Sequence, residues 1–282
     1  MLFMVPGALS NSSMLSWAGV GPCGAIWIRD TLSDWATQAP HAISVVVTSG
    51  PASEPASDEQ LAARAAPEMV RFARYWLDFY RAYMGPSGPF AGSVNNPPQP
   101  HARTGDPAKG GGGAWGYVSG TQVKISDDQA FVFTMEDMAA RYVGAGFASP
   151  WWVTVDYARR SGSINNGQAR RNPDGTITYA VARKDPGIAN WIDTAGLDEG
   201  ALLLRWQAIE GPLPKSDSLT LQGEIIKNEG AEMRVIKEAR VLPIGQVRTA
   251  YPHLIAGQEA RAAELATRLA SYGRRLDSGG PR

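Results

Sequence analysis

Apolar positions recur along this chain at two different spacings. From 59 to 83 they fall at Leu61, Ala65, Met69, Phe72, Trp76, Phe79, Tyr80 and Tyr83. Steps of three and four put them on one stripe, which predicts an amphipathic helix packed into the core by its aromatic face. Ser57 or Asp58 stands where such a helix is capped. Elsewhere the apolar runs are short and rich in β-branched and aromatic residues. Runs at 24–29, 42–48, 115–125, 129–134, 151–158, 176–183, 201–208, 219–226 and 232–239 read as strands. Turn formers separate several of them: Asp127-Asp128, Asn165-Asn166-Gly167, Asn172-Pro173-Asp174-Gly175 and Asn228-Glu229-Gly230. A last helix is expected at about 257–274, its Arg261, Arg268, Arg274 and Arg275 forming a solvated basic face near the helix C-terminus.

This pattern predicts a mainly β protein with two long helices, an antiparallel β-sandwich or jelly roll. The expected organisation is one structural unit: N-terminal strands and linker over 1–57, the helix at 58–84, a Gly/Pro-rich loop at 85–113, and a β region with its C-terminal helix over 114–282. Gly110 to Gly113 suggest a phosphate cradle, but the Gly-Lys-[Ser/Thr] ending of such a loop is missing, so a flexible loop is the reading.

Composition removes several function classes. Lys plus Arg and Asp plus Glu both number 27, so there is no basic excess to hold DNA or RNA. One cysteine, Cys23, excludes an internal disulfide framework, and with only His41, His101 and His253 a metal centre is not expected. Gly116-Tyr117-Val118-Ser119-Gly120 carries its serine one place too late for a hydrolase elbow, and no dinucleotide fingerprint is present. The chain is therefore expected to use no cofactor. Its opening segment has no basic residue before Arg29 and is broken by Pro6, Gly7 and Ser10-Asn11-Ser12-Ser13. That breaks the pattern of a membrane span and of an export signal, so the cytoplasm is the expected location and export the alternative.

The most distinctive segment runs from 150 to 206. It contains Pro150-Trp151-Trp152, Asp156-Tyr157-Ala158-Arg159-Arg160, Asp185-Pro186-Gly187, Asn190-Trp191-Ile192-Asp193-Thr194 and Leu204-Arg205-Trp206. Together these resemble the domain-of-unknown-function family 1214, the C-terminal partner of family 1254. The resemblance extends to Arg29-Asp30-Thr31-Leu32-Ser33-Asp34-Trp35 and through the helix at 59–83. It implies a β-sandwich and no particular chemistry. Members of that type carry a further N-terminal region, so the resemblance also implies an N-terminally shortened version.

Function must then be argued from side chains. Trp151, Trp152, Trp191 and Trp206 could wall a cleft for a small organic or carbohydrate-like ligand, with Tyr157, Asn190, Arg159, Arg160 and Arg205 supplying polar contacts. Alternation along a strand at 151–158 would send Trp151 and Trp152 to opposite sides. Asp156 and Asp193 are the candidate catalytic pair, one protonated and one ionised if burial differs, which would make a cofactor-independent hydrolase, lyase or hydratase. The opposing reading makes Asp193 a turn stabiliser, pairs Asp156 with Arg205 across strands, and leaves a non-catalytic ligand-binding or assembly module. A shortened inactive paralogue is the third possibility. Arg159, Arg160, Arg170, Arg171, Arg183 and Lys184 could gather into an anion site or fringe the sheet ends. The expected partner is a small molecule or glycan, with neither nucleic acid nor membrane; the sequence sets no oligomeric state.

Overall fold

The computed structural model describes residues 16–18, 25–27, 37–38, 57–84, 93–102, 116–209, 218–219, 225–226 and 235–278. The strand expected at 42–48, the 29–35 segment, the glycines at 110–113 and the turn at 228–230 lie outside these residues.

In chain order the elements are β1 (Ser16–Ala18), β2 (Ala25–Trp27), α1 (Asp58–Met84), β3 (His101–Ala102), β4 (Gly116–Lys124), β5 (Gln129–Met135), β6 (Ala140–Ala148), β7 (Ser163–Asn165), β8 (Ile177–Ala182), β9 (Trp191–Asp193), β10 (Glu199–Ile209), β11 (Ser218–Leu219), β12 (Ile225–Ile226), β13 (Ile236–Pro243), α2 (Ile244–Ala250) and α3 (Gln258–Ser278). Two sheets make the body, one ordered β3-β4-β10-β6-β7 and the other β13-β5-β8-β9. The expected mainly β fold is what the chain adopts, and the two sheets form a sandwich.

Alternation builds the layers. Tyr117 and Val123 of β4, Val143, Ala145 and Phe147 of β6, and Leu202, Leu204 and Trp206 of β10 face inward. They meet Phe131, Phe133 and Met135 of β5 and Ile177, Tyr179 and Val181 of β8. Each fully buried large side chain there stabilises the fold by roughly 1.5–3 kcal/mol. The Phe133 and Tyr179 rings stack at 5.2 Å. The other face of the second sheet, with Ala130, Val132, Ala180 and Ala182, packs under Val247 of α2 and under Tyr251, Leu254 and Ile188. These strands read as continuous apolar runs because both of their faces are covered.

The turns follow the sequence signals. Gly175 closes the Asn172-to-Thr176 turn at φ +86°, a conformation a side chain resists. Asp174 in that turn accepts hydrogen bonds from the backbone N–H and hydroxyl of Thr176 at 3.0 and 2.6 Å.

Several expectations are corrected. β6 was not expected as a strand; its sequence, ARYVGAGFA, has small residues at the outward positions and so lacks the β-branched signature. Residues 151–158 form turns, with a single bridge from Thr154 to Ala148, because Ser149 draws the chain into a tight turn and Asp156 caps the next one. Of the 219–226 run, the described residues belong to two short antiparallel strands, β11 and β12. β8 and β9 pair in parallel, since the connection carrying the Asp185-Pro186-Gly187 turn crosses over with Ile188 buried beneath the helical layer.

The helices depart further. α1 starts as expected, with Ser57 and Gln60 exchanging side-chain-to-backbone hydrogen bonds in a capping box. Its stripe, however, is not in the core: Leu61, Met69 and Phe72 are 52%, 70% and 62% exposed. Among the described residues the end of α1 touches the sandwich through Tyr80, which packs near Ala201, Trp152 and Leu203. In α3 the reverse holds. Arg261 and Arg268, expected on a solvated face, are nearly buried, because α3 lies against the body with those positions turned inward.

Candidate functional site

The outer face of the five-stranded sheet carries a groove of about 370 Å³. Its position follows from strand register. On β10, Leu203 and Arg205 point outward, between inward-facing Leu202, Leu204 and Trp206. Leu203 lies opposite Gly146, and Arg205 opposite Gly144. Gly146 keeps the sheet low, since a Cβ there would meet only Ser163 Cβ at 3.4 Å, whereas the Tyr142 ring lies over Gly144 where a Cβ would stand. Tyr142, Tyr157, Thr154, Ser163 and Gln168 rise around the floor, and Arg268 reaches in from α3. Among the described lining residues there is no carboxylate, imidazole or thiol.

Arg268 is the residue the sequence reading missed. It is 3% exposed, its Nη2 donates to Glu264 at 2.5 Å, and its Nε has no hydrogen-bond partner among the described residues. Glu264 pairs its charge, but a buried N–H left without an acceptor still carries a desolvation cost. No short motif announces it; the signal was an Arg seven positions after Arg261 on a helix whose other face is polar.

The expected site residues do not converge on one cleft. Tyr157 and Arg205 line the groove. Trp151 is 59% exposed and lies against Tyr80 with ring centroids 5.7 Å apart. Trp152, at φ +63°, donates its backbone N–H to the Ser149 carbonyl at 2.8 Å, and its indole packs near Leu203 and Ala201 at the edge of the same sheet face. A Trp in the left-handed region is strained, and here the turn after β6 imposes it. Trp206 is fully buried in the sandwich, donating its indole N–H to the Glu136 carbonyl at 2.8 Å, so it cannot wall a cleft.

Trp191 lies on the opposite sheet. Its indole donates to the Ala182 carbonyl at 3.0 Å, and the Arg261 guanidinium sits 4.9 Å from its ring centre. Arg261 also pairs with Asp185 at 3.0 Å and donates to the Ile188 carbonyl at 2.7 Å. Burial, more than these partners, acts on that guanidinium, pulling its pKa below the ordinary value. Asn190 is a buried latch: its amide donates to the carbonyls of Arg170 and Thr178 at 2.7 and 2.8 Å and accepts from the Arg170 N–H at 2.8 Å.

The two candidate carboxylates are engaged separately. Asp156 accepts from the N–H groups of Ala158 and Arg159 and pairs with Arg159 at 2.8 Å, not with Arg205. The Arg159 hydrogen bond comes first among the causes that hold its carboxyl below the usual range. Asp193 is buried, accepts from the Ala195 N–H at 2.8 Å and pairs with Arg160 at 2.9 Å. The basic cluster is likewise dispersed. Arg170 donates to the Ile255 carbonyl, Arg171 pairs with Asp137, and Arg183 and Lys184 share Asp127. No group of three or more His, Cys, Asp or Glu that could hold a metal ion occurs among the described residues. No helix among them is long and apolar enough to cross a membrane.

No protein-family model matches the chain. No curated protein matches it either. Among solved structures, the chain is similar to an uncharacterized protein from Burkholderia cenocepacia, at 23% identity and a TM-score of 0.41. The match covers 56% of this chain and 38% of that one.

Proposed function

We propose that this chain is a non-catalytic binding protein for a small organic ligand, which it holds in the groove over β6 and β10. The observation that carries the reading is the groove's lining: two arginines, two tyrosines and neutral hydroxyl and amide groups over a glycine floor, with no described group suited to proton transfer near neutral pH. Guanidinium, phenol, hydroxyl and amide groups hold a ligand by charge and hydrogen bonding, so these side chains recognise a ligand better than they turn one over. The engagement of Asp156 by Arg159 and of Asp193 by Arg160 argues the same way against a catalytic pair. The resemblance to family 1214 fits this reading, and we extend membership of that family to the chain as part of the proposal.

The test is a thermal-shift and calorimetric screen with benzoate, benzyl alcohol, glucuronate and glucose. A ligand present at about 100 times its dissociation constant adds about 2.7 kcal/mol to folding stability. We expect a stabilising ligand whose amount does not fall during incubation and whose binding survives Asp193→Asn. Turnover of a bound probe by the wild type, lost in Asp193→Asn, would replace this reading with the enzymatic one.

A further inference from the structure

We infer that α1 is a self-association surface: two copies of the chain lay their α1 helices antiparallel, apolar face to apolar face, in a two-fold dimer. The inference stands apart from the groove and its ligand.

The argument starts from what covers the helix. Residues 58–75 are exposed without exception, on every side of α1. Val70 and Leu77 join Leu61, Met69 and Phe72 among the large apolar side chains left in water. Helices in proteins draw most of their stability from burying an apolar face, and Pro67 removes one of this helix's own hydrogen bonds. The described contact with the body lies at the far end, where Tyr80 packs near Ala201 and against Trp151. A contiguous apolar face of this kind marks an interaction site.

The order of residues along α1 says what fits it. At 3.6 residues per turn, Leu61, Ala65, Met69 and Phe72 share one side, while Arg64, Pro67, Arg71, Arg74 and Asp78 share the other. Pro67 therefore sits away from the apolar face. Charge is divided along the axis: residues 58–70 hold Asp58, Glu59 and Glu68 against Arg64, and residues 71–84 hold Arg71, Arg74 and Arg81 against Asp78.

A second copy laid antiparallel, with the two-fold axis between Val70 and Arg71, sets each acidic half on a basic half. Met69 then meets Phe72 of the second copy, a favourable sulfur–aromatic contact. Glu68 comes beside its Arg71, Arg64 beside its Asp78, and Glu59 beside its Arg81. A parallel pair would set every charge against its own like. The antiparallel pair also holds the two sandwiches at opposite ends of a helix about 40 Å long. With four arginines and four acids, α1 has no basic excess to draw it to anionic lipid, so a second copy fits the face better than a membrane does.

Sedimentation equilibrium of the full chain across a wide range of concentration tests this. The mass should rise to twice the 30.2 kDa of one chain, and hydrogen exchange over 58–75 should slow as it does. Phe72→Glu should leave a monomer whose sandwich melts as before, because Phe72 is exposed and outside the core. Since that charge could unravel α1 by itself, a second pair of variants reads the register. Glu68→Arg and Arg71→Glu should each weaken association about fivefold by bringing like charges together. An equal mixture of the two should associate at least as tightly as the wild type. Glu68 and Arg71 also pair within one helix, at 2.6 Å, but mixing chains cannot restore that pair, so recovery assigns the effect to contact between copies.

A mass of 30.2 kDa at every concentration would overturn the inference, as would a dimer that Phe72→Glu leaves intact. A mixture no tighter than either variant alone would overturn the antiparallel pairing. Protection of 58–75 by phosphatidylglycerol vesicles in a chain that stays monomeric would give the face to a membrane instead.

Discussion

Asn190 shows how a residue that looks functional in sequence can be spent on architecture. Its side chain closes three hydrogen bonds inside the protein, tying the Arg170 backbone to β8. Removing it strands buried donors and acceptors, each costing about 1–3 kcal/mol. Asn190→Ala is therefore expected to lower unfolding free energy by about 3 kcal/mol in urea denaturation, with affinity of the folded protein for the screened probes unchanged. A loss of affinity at full stability would place Asn190 at the ligand instead. The Asp-Pro-Gly and Asn-Trp-x-Asp-Thr runs were legible as special because turns and buried amides demand particular residues. Their roles were not, since Asp193 finds Arg160 and Trp191 finds Arg261 only through the fold. Tyr157 and Arg205 were readable as groove residues, whereas Arg268 was not, because its inward face depends on where α3 docks.

At the level of elements, α3 hangs on Arg261. Its guanidinium covers Trp191, pairs with Asp185 and reaches the Ile188 carbonyl, so one side chain joins the helix to β9 and to the turn before it. Arg261→Met keeps the stem but loses the charge-assisted bonds and the cation–π contact; it should cost about 2 kcal/mol of stability. Hydrogen exchange should quicken across 258–271 before it does in β5 or β8. Because Arg268 rides on the same helix, affinity for the screened probes should fall as well, although Arg261 does not line the groove. Unchanged exchange in α3 would mean that the helix is held elsewhere. Elements were legible where local preference and burial agree: β4, β5, β8 and β10 carry the expected runs. β6 was hidden because the glycines that make the groove are the residues that weaken a strand signal. The stripe of α1 gave the right period and the wrong partner, since periodicity reports an apolar face and says nothing about what covers it.

For the whole molecule, the groups that limit stability at the two ends of the pH scale differ in kind. On the alkaline side stands Tyr179, stacked on Phe133 in the core, its hydroxyl without a partner among the described residues. Burial pushes its ionisation well above the ordinary 10.0. The unfolded chain then ionises first, so its contribution is whole below about pH 10 and is lost as pH rises toward the folded value. Tyr251 shifts the same way, also chiefly by burial. Tyr179→Phe removes an unsatisfied hydroxyl, so it should raise neutral-pH stability by about 1 kcal/mol and make the alkaline decline shallower, with Tyr251 supplying what remains. On the acid side, Asp127, Asp156 and Asp174 are held below the usual carboxylate range, first by hydrogen bonds from Lys184, Arg159 and Thr176 respectively. Their support is present above their unfolded value of 3.8 and disappears as pH falls through the folded values. The Asp127 and Asp156 ion pairs are open to solvent, so added salt screens them, while it cannot reach a phenol in the core. Melting curves across pH at low and high salt should therefore show an acid decline that moves with salt and an alkaline decline that does not. An alkaline decline that shifts with salt, or survives Tyr179→Phe at full steepness, would assign it to surface charges instead of the core.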